Sequence, residues 1–299
     1  MKERMRSRIV RAKRVDRLMT VLFTAVGGFF LVFILFLAGY IIIDGLMSYF
    51  PGILSFSAKG IGNQLFNTIY LLFLSLLFSC LVGVPAGIYM AEYAGKGKSA
   101  EIVRMSIESL SSLPSIVIGL FGYLVFVQSV GASWNLLAGA VTVSLLSIPL
   151  ITTSTEDALR ALPPHFVEGS MALGSTHWYA IVHTLLPAVL PRIGSGIILA
   201  AGRVFGEATA LMYTAGMSTR IDWTNWDLTS PLNALNPMRP GETLALHIWV
   251  MRSEAVDPNS AKIANFSAAI LVIVVLLFSL TARKMVRHMN KKQTGSEAK

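Results

Sequence analysis

The chain has 299 residues, of which 54% are hydrophobic and only 14% are charged, and its mean hydropathy is +0.63. An average soluble domain is about a quarter charged, so this composition leaves too few charges to cover a soluble protein of this length. Disordered, collagen-like and disulfide-stapled chains are also excluded, since the chain is apolar and its single cysteine, Cys80, can form no internal bridge. The composition predicts a polytopic membrane protein.

The net charge of +9 is concentrated at the two ends of the chain. Eight basic residues lie within residues 1–17, and six lie within residues 283–299. Both clusters flank apolar segments, a placement typical of cytoplasmic ends close to anionic lipid headgroups. The charge therefore indicates contact with a lipid bilayer, and no nucleic-acid partner is predicted.

Six apolar stretches are long enough to cross a bilayer, for which a helix needs about 20 residues. The first is uncharged over 26 residues, too long for the apolar part of a signal peptide, so a retained accessory helix is expected. The polar stretch 128–135 divides another long uncharged region into two spans. The predicted spans are 18–43, 66–91, 109–127, 136–155, 188–216 and 263–282, the last five lying within a transmembrane core of residues 63–282.

The basic residues also predict the topology. With both termini in the cytoplasm, nineteen basic residues lie on the cytoplasmic side, five lie on the outer side, and one lies inside a span. This bias favours an all-α fold with six transmembrane helices and both ends inside. The loop 218–262, rich in tryptophan and proline, is then external and suits contact with an external partner or a cap on a pore. The segment 156–187 faces the cytoplasm.

The cytoplasmic segment 156–187 carries a motif with characteristic spacing. Glu168 begins it, small residues follow, a glycine stands six positions after the glutamate, and Leu-Pro comes twelve positions after that glycine. The spacing resembles the cytoplasmic EAA loop of ABC-importer permeases, with Gly169 and Ser170 in place of the two alanines. The resemblance implies a coupling helix that seats on a separate ATPase subunit. An amphipathic helix lying on the membrane surface is the alternative. The residues assigned to coupling are Glu168, Gly169, Ser170, Gly174, Trp178, Leu186 and Pro187.

Two further segments, 113–122 (LPSIVIGLFG) and 202–210 (GRVFGEATA), look like the corresponding stretches of PstA, the permease family of phosphate ABC importers. The resemblance implies a type I, MetI-like permease fold in a bacterial or archaeal cytoplasmic membrane. It also implies a homologous PstC-like permease, a cytoplasmic PstB-like ATPase dimer and an extracytoplasmic PstS-like phosphate-binding protein as partners. The chain itself is expected to be non-catalytic and to need no cofactor.

Arg203 and Glu207 are charged residues within a predicted span. Insertion scales assign a cost of about 2.5–3.5 kcal/mol to an arginine at a helix centre, so such residues usually face an aqueous path or a bundle interior. A spacing of four predicts that the two side chains share one helical face and pair. Arginine offers a bidentate fork to phosphate, and the glutamate would keep the anion from binding too tightly. A purely structural salt bridge is the alternative.

Pro114 interrupts the third apolar region, close to Ser112 and Ser115. In transporters, broken helices expose backbone groups to an anionic substrate near the middle of the membrane, and serine hydroxyls can donate hydrogen bonds to its oxygens. These three residues are therefore added to the predicted substrate pathway. An ordinary proline kink, with serine bonded back to its own helix, is equally compatible with the sequence.

Other functions lack the residues they need. Gly97-Lys98-Ser99 ends like a phosphate-binding loop, but Glu92 occupies the position of its first glycine, so no ATP site is predicted. The five histidines show no metal-binding spacing, and no metal site is predicted. The remaining alternatives are a permease for sulfate, molybdate or tungstate, a passive channel or scaffold, and an integral-membrane enzyme, for which no catalytic constellation is present.

Overall fold

The computed structural model describes residues 2–57, 60–95, 97–218, 220–254 and 258–294 of the chain. Within these ranges the regular structure is helical, apart from one isolated bridge between Asp222 and Asn233. The helices are α1 (Lys2–Met47), α2 (Gly62–Glu92), α3 (Lys98–Ser112), α4 (Ser115–Gly122), α5 (Leu136–Arg160), α6 (His165–Ala172), α7 (His177–Ala180), α8 (Leu186–Phe205), α9 (Thr209–Thr214), α10 (Leu244–Ser253) and α11 (Ser260–Thr294). Single π-helical stretches extend α4 over Tyr123–Gln128 and join α7 to α8 over Ile181–Leu185.

Five helical segments are long and apolar enough to cross a membrane: α1, α2, α5, α11 and the combined segment His177–Phe205, which contains α8. α3 and α4 together also pass this test, and the bend of 101° between them is that of a broken span or a re-entrant loop. The prediction of an all-α fold is therefore confirmed, and the described residues contain five candidate spans, or the predicted six if the bent pair crosses the membrane.

The third and fifth spans differ from their predicted limits. The predicted span 109–127 crosses the break between α3 and α4, so its first four residues belong to α3. α3 ends at Ser112 because Leu113 is extended (φ −68°, ψ 135°), as residues before proline usually are. The predicted span 188–216 is interrupted at 206–208, between α8 and α9. Apolar length alone does not reveal either break, because both lie inside stretches that are long and apolar enough to be predicted as spans.

The centre of the bundle is the parallel pair α2 and α5. α5 begins at a cap in which the Asn135 side chain accepts a hydrogen bond from the Ala138 amide over 2.7 Å. Gly83 and Gly87 of α2 lie against Ile151 and Thr155 of α5, so the two backbones approach closely. Close packing of this kind holds helices together in lipid, where tails are as apolar as the side chains they replace. α4, α8 and α9 pack on this pair through one apolar cluster.

The first helix stands largely apart from the bundle. Its side chains are exposed throughout residues 12–37. Contact with α11 is made near the end of α1, where Gly45 meets Ala269 and the Asp44 carboxylate accepts a hydrogen bond from the Asn265 side chain over 2.7 Å. A helix with this much apolar exposure needs lipid, or another membrane helix, around it.

Candidate coupling segment and substrate pathway

The segment assigned to ATPase coupling is a helical hairpin made of α6 and α7. α6 begins directly after Pro163-Pro164 and is followed by a turn at Gly174, whose φ of +88° lies in the left-handed region. The Ser170 and Ser175 hydroxyls are 2.8 Å apart and close this turn. Glycine suits this turn, because a residue with a Cβ is strained at this φ.

One side of the hairpin is exposed to solvent and has an apolar character. Glu168 lies in the first turn of α6 and is exposed, and a Cβ on the neighbouring Gly169 would meet no described atom within 4 Å. Leu173 is 91% exposed, Trp178 59%. Gly169 therefore does not serve packing within the described part of the chain. The surface combines a carboxylate with uncovered apolar and aromatic side chains, which is the composition of a protein interface.

The other side anchors the hairpin to the bundle. Ile181 and Leu185 are buried in a cluster against the cytoplasmic ends of α2 and α5, and Leu186 packs at its edge. The His177 imidazole lies 3.5 Å from the Glu92 carboxylate. The motif is thus divided: Leu186-Pro187 open the anchored helix α8, whereas Glu168 stands on the free surface.

Glu156 joins three helices at the base of this segment. Its Oε1 is 2.7 Å from Arg104 Nη2 on α3 and 3.0 Å from Arg160 Nη2 on α5. Arg160 also donates a hydrogen bond to the Met90 carbonyl near the end of α2 over 3.1 Å. Glu156 therefore links α3 to α5, and Arg160 links α5 to α2.

In the predicted pathway, Arg203 and Glu207 do not share a helical face. α8 ends at Phe205, and Glu207 lies in the break before α9, where its Oε1 accepts a hydrogen bond from the Ala210 amide over 3.1 Å. The predicted pairing is therefore wrong, because it required one continuous helix. Arg203 is exposed in the last turn of α8 and forms no ion pair with any residue in the described ranges.

The two helix breaks lie close together. Residues on both sides of the α3–α4 break, Leu110 and Ile118, pack in the same apolar cluster as Phe205 and Ala210, which flank the α8–α9 break. Gly119 makes this approach possible, since a Cβ there would lie 2.7 Å from the Cα of Ala210. Two interrupted helices thus meet in one region, the arrangement that transporters use to form substrate sites.

The residues at the first break have different roles. Pro114 is the N-cap residue of α4, and Ser115 is its first residue. The Ser112 hydroxyl donates a hydrogen bond to the Ser109 carbonyl over 2.8 Å, so its proton is used within α3. Pro85, which also stands in an apolar run, lies inside α2 and does not end that helix.

A glycine pair at the end of α8 is open to solvent. Gly202 and Gly206 are exposed, and a Cβ on Gly202 would have no described atom within 4 Å. Within the described part of the chain, no helix therefore packs against this glycine pair. They leave a shallow, small-residue surface next to Arg203.

A buried polar network at the start of α2 was missed by the sequence analysis. Arg239, counted there only as an outer-loop cation, has no exposed surface and bonds to Asn67. The Glu242 carboxylate accepts a hydrogen bond from Gln64 over 3.2 Å and lies 2.8 Å from His247 Nδ1. Nearby, Trp223 donates a hydrogen bond to Asn63 over 3.0 Å. The network fixes the outer loop to α2.

The chain is similar to known membrane-transport proteins. Residues 83–295 match the profile of the family described as "Binding-protein-dependent transport system inner membrane component". The probable ABC transporter permease protein YqgI of Bacillus subtilis is 41% identical over 95% of this chain and 99% of its own length. A phosphate transport system permease protein, PstA 2 of Mycobacterium bovis, is 32% identical over 78% of this chain and 73% of its own length.

A solved structure of the MetNI methionine ABC transporter, in an inward-facing conformation, shares the fold. Its TM-score to this chain is 0.60 and its identity is 20%, with 81% of this chain and 99% of that chain covered. At this identity the likeness concerns the fold alone. The family match spans most of the chain and includes both helix breaks and the hairpin. The chain belongs to the family of binding-protein-dependent transport system inner membrane components, the permease subunits of ABC importers.

Proposed function

We propose that this permease subunit forms half of a pathway for inorganic phosphate. The observation that carries the proposal is the exposed guanidinium of Arg203, which has no ion pair within the described residues and stands at the end of α8 where two broken helices meet. PstA relatives at about 30% identity support phosphate as the anion.

Arg203 would act as a transient counter-ion. A guanidinium presents two parallel N–H groups to a phosphate and keeps its charge at any physiological pH. One carboxylate oxygen of Glu207 accepts a hydrogen bond from the Ala210 amide. Glu207 is four residues from Arg203 in the sequence but does not form an ion pair with it. A nearby negative charge limits the affinity for the anion, and a transported ion must leave its site as well as enter it. Pro114 and Ser115 would line the pathway at the facing break. Ser112 would do so only if its hydroxyl released its hydrogen bond within α3.

A homologous PstC-like permease would complete the pathway. The open surface of Gly202, Arg203 and Gly206 is polar and uncovered in this chain, and small residues let helices of two subunits approach closely. One subunit would then supply Arg203 to a site lined from both sides.

The α6–α7 hairpin would seat on a PstB-like ATPase dimer in the cytoplasm of a bacterium or archaeon. Glu168 offers a charge to a basic groove, and Trp178 supplies an aromatic anchor beside it. Closure of the ATPases would move the hairpin and, through the anchored start of α8, the region of Arg203. On the outer side, Trp226 is 88% exposed and is available to a PstS-like binding protein.

The test uses the complete complex reconstituted in proteoliposomes, with phosphate-stimulated ATP hydrolysis and phosphate uptake as readouts. We expect Arg203→Gln to lower uptake at least tenfold while the complex still assembles, and Arg203→Lys to retain part of the activity. Arg192→Gln is the matched control, because Arg192 is an exposed arginine on the same helix and lies three turns earlier. Normal uptake by an assembled Arg203→Gln complex would rule out the role of Arg203.

The same preparation distinguishes phosphate from other oxyanions. We expect excess sulfate or molybdate to leave phosphate-stimulated hydrolysis unchanged. If sulfate or molybdate stimulates ATP hydrolysis and phosphate does not, the chain is still a permease subunit, but its substrate is that other oxyanion.

A further inference from the structure

A crevice between α8 and α11 opens at the basic end of α11. Its volume is about 300 Å³, and its lining is shared between the two helices. The helices cross tightly beside it, where a Cβ on Gly194 would lie 2.9 Å from Val286. The lining residues are Ser195, Ile198 and Leu199 from α8 and Arg283, Val286 and Arg287 from α11.

The charge of this crevice is uncompensated. Arg283 and Arg287 are four residues apart on one helix, so they share a face, and both are exposed. Lys284 and His288 lie on the same two turns and line a neighbouring depression. α11 contains no acidic residue, and neither arginine forms an ion pair within the described part of the chain. An anion placed there would meet two guanidinium groups and no carboxylate.

The crevice lies where the apolar surface of the bundle ends. Leu199 is 59% exposed on α8, and Leu277 and Leu280 are exposed on the preceding turns of α11. An apolar surface directly below a cationic pocket matches the two parts of a phospholipid, whose acyl chains and charged headgroup are separated in the same way. Free inorganic phosphate has no apolar part that could contact this surface, so the surface favours a lipid.

Ser195 favours a headgroup that carries a hydroxyl group. Its hydroxyl donates a hydrogen bond to the Pro191 carbonyl over 3.0 Å, so its oxygen remains available as an acceptor. A headgroup that carries hydroxyl donors, such as glycerol, can satisfy that oxygen while its phosphate binds the arginines.

We propose that this crevice binds an anionic phospholipid, with the phosphate held by Arg283 and Arg287 and a hydroxylated headgroup such as glycerol against Ser195. Basic pockets between membrane helices are suited to anionic headgroups, and arginine binds phosphate in a bidentate manner. The site is separate from Arg203 and does not depend on phosphate being the transported anion.

The test is native mass spectrometry of the full-length chain in detergent, titrated with phosphatidylglycerol, phosphatidylcholine or inorganic phosphate. We expect retention of phosphatidylglycerol over phosphatidylcholine, and no competition by millimolar phosphate. Arg283→Gln with Arg287→Gln should weaken binding about fivefold for each cation removed, hence roughly 25-fold together. Ser195→Phe, which fills the crevice and keeps the charges, should also abolish retention.

The matched control is Lys13→Gln with Arg17→Gln on α1. These two cations are also exposed, have the same spacing and face no crevice with α8. An equal loss in both double variants would mean general attraction to a charged surface and would overturn the proposal. Displacement of the lipid by inorganic phosphate, or equal retention of phosphatidylcholine, would overturn it as well.

Discussion

The guanidinium of Arg239, in the outer loop, donates a hydrogen bond to the side-chain oxygen of Asn67 on α2 over 2.6 Å. Asn67 donates in turn to the Glu242 carbonyl over 2.9 Å, so the loop and the helix are joined in both directions. The other acceptors of the guanidinium are the carbonyls of Ala234 and Pro240. A buried charge is thus surrounded by neutral oxygens of the protein, which replace its water.

Arg239→Ala should loosen the outer loop. The substitution leaves several buried acceptors without donors, and each such group costs about 1–3 kcal/mol, so we expect a loss of about 2–4 kcal/mol. Thermal unfolding in detergent measures the loss, and limited proteolysis within 220–240 locates it. Arg220→Ala changes an exposed arginine of the same loop and should have little effect. Equal shifts in the two variants would contradict the structural role of Arg239.

The contribution of Arg239 should not depend on pH near neutrality. Burial lowers the pKa of Arg239 to about 10, well below its ordinary value. Below pH 10 the group is charged in both the folded and the unfolded chain, so the cost of burying it is constant. That cost falls only as the pH rises above about 10, where the folded chain loses the proton first. The stability difference between wild type and Arg239→Ala should be the same at pH 6 and pH 9, and a difference that changes across this range would contradict the assignment.

The buried polar network at the start of α2 was partly predictable from the sequence. Asn63, Gln64, Asn67 and Thr68 recur at helical spacing at the start of an apolar span, which marks one polar face of α2. Their partners lie 160 or more residues away in the chain, and no periodicity connects them. The apolar spans were predictable because apolar length is a local property.

The break between α8 and α9 was not predictable in the same way. The spacing of Arg203 and Glu207 implies a shared face only if the helix continues through Gly206. In the structure the helix stops there, Glu207 caps the next one, and α9 is held by its contact with Gly119 of α4. The break between α8 and α9 depends on packing against a segment about ninety residues earlier in the chain. A local sequence pattern does not reveal such a contact.

Gly174→Ala should disturb the coupling hairpin. A Cβ at φ +88° costs about 1–2 kcal/mol, and relief of that strain would tilt α6 away from α7. We expect reduced copurification of the ATPase and weaker coupled hydrolysis. Gly169→Ala is the control: it lies within α6, has open space around it and should stabilise the helix by up to about 1 kcal/mol. Unchanged coupling in Gly174→Ala would show that the turn does not set the docking geometry.

Glu156→Gln should weaken the attachment of α3. Two arginines share one carboxylate oxygen of Glu156, and the substitution removes the charge that holds them. Because Arg104 and Arg160 are about half exposed, water compensates for much of the loss, and we expect an effect of about 1 kcal/mol. Hydrogen exchange in 100–112 should become several-fold faster. Glu101→Gln, also on α3 but exposed, should leave the exchange rate unchanged, and the same rate in both variants would contradict the role of Glu156.

Gly119→Ala should separate the two helix breaks. The added Cβ would lie 2.7 Å from the Cα of Ala210, and backbone atoms cannot move aside as a flexible side chain does. Overpacking of this kind costs about 1–3 kcal/mol, and here it would push α4 away from α9 and enlarge the gap beside Arg203.

Gly202→Ala adds the same methyl group where the described chain has no atom within 4 Å, so the isolated subunit should be unaffected. If a partner permease covers that surface, Gly202→Ala should instead weaken assembly of the two subunits while leaving the thermal stability of the single chain unchanged. Copurification of the permease pair and thermal unfolding of the single chain therefore separate the two glycines, and stable, fully coupled Gly119→Ala would contradict the close approach of the breaks.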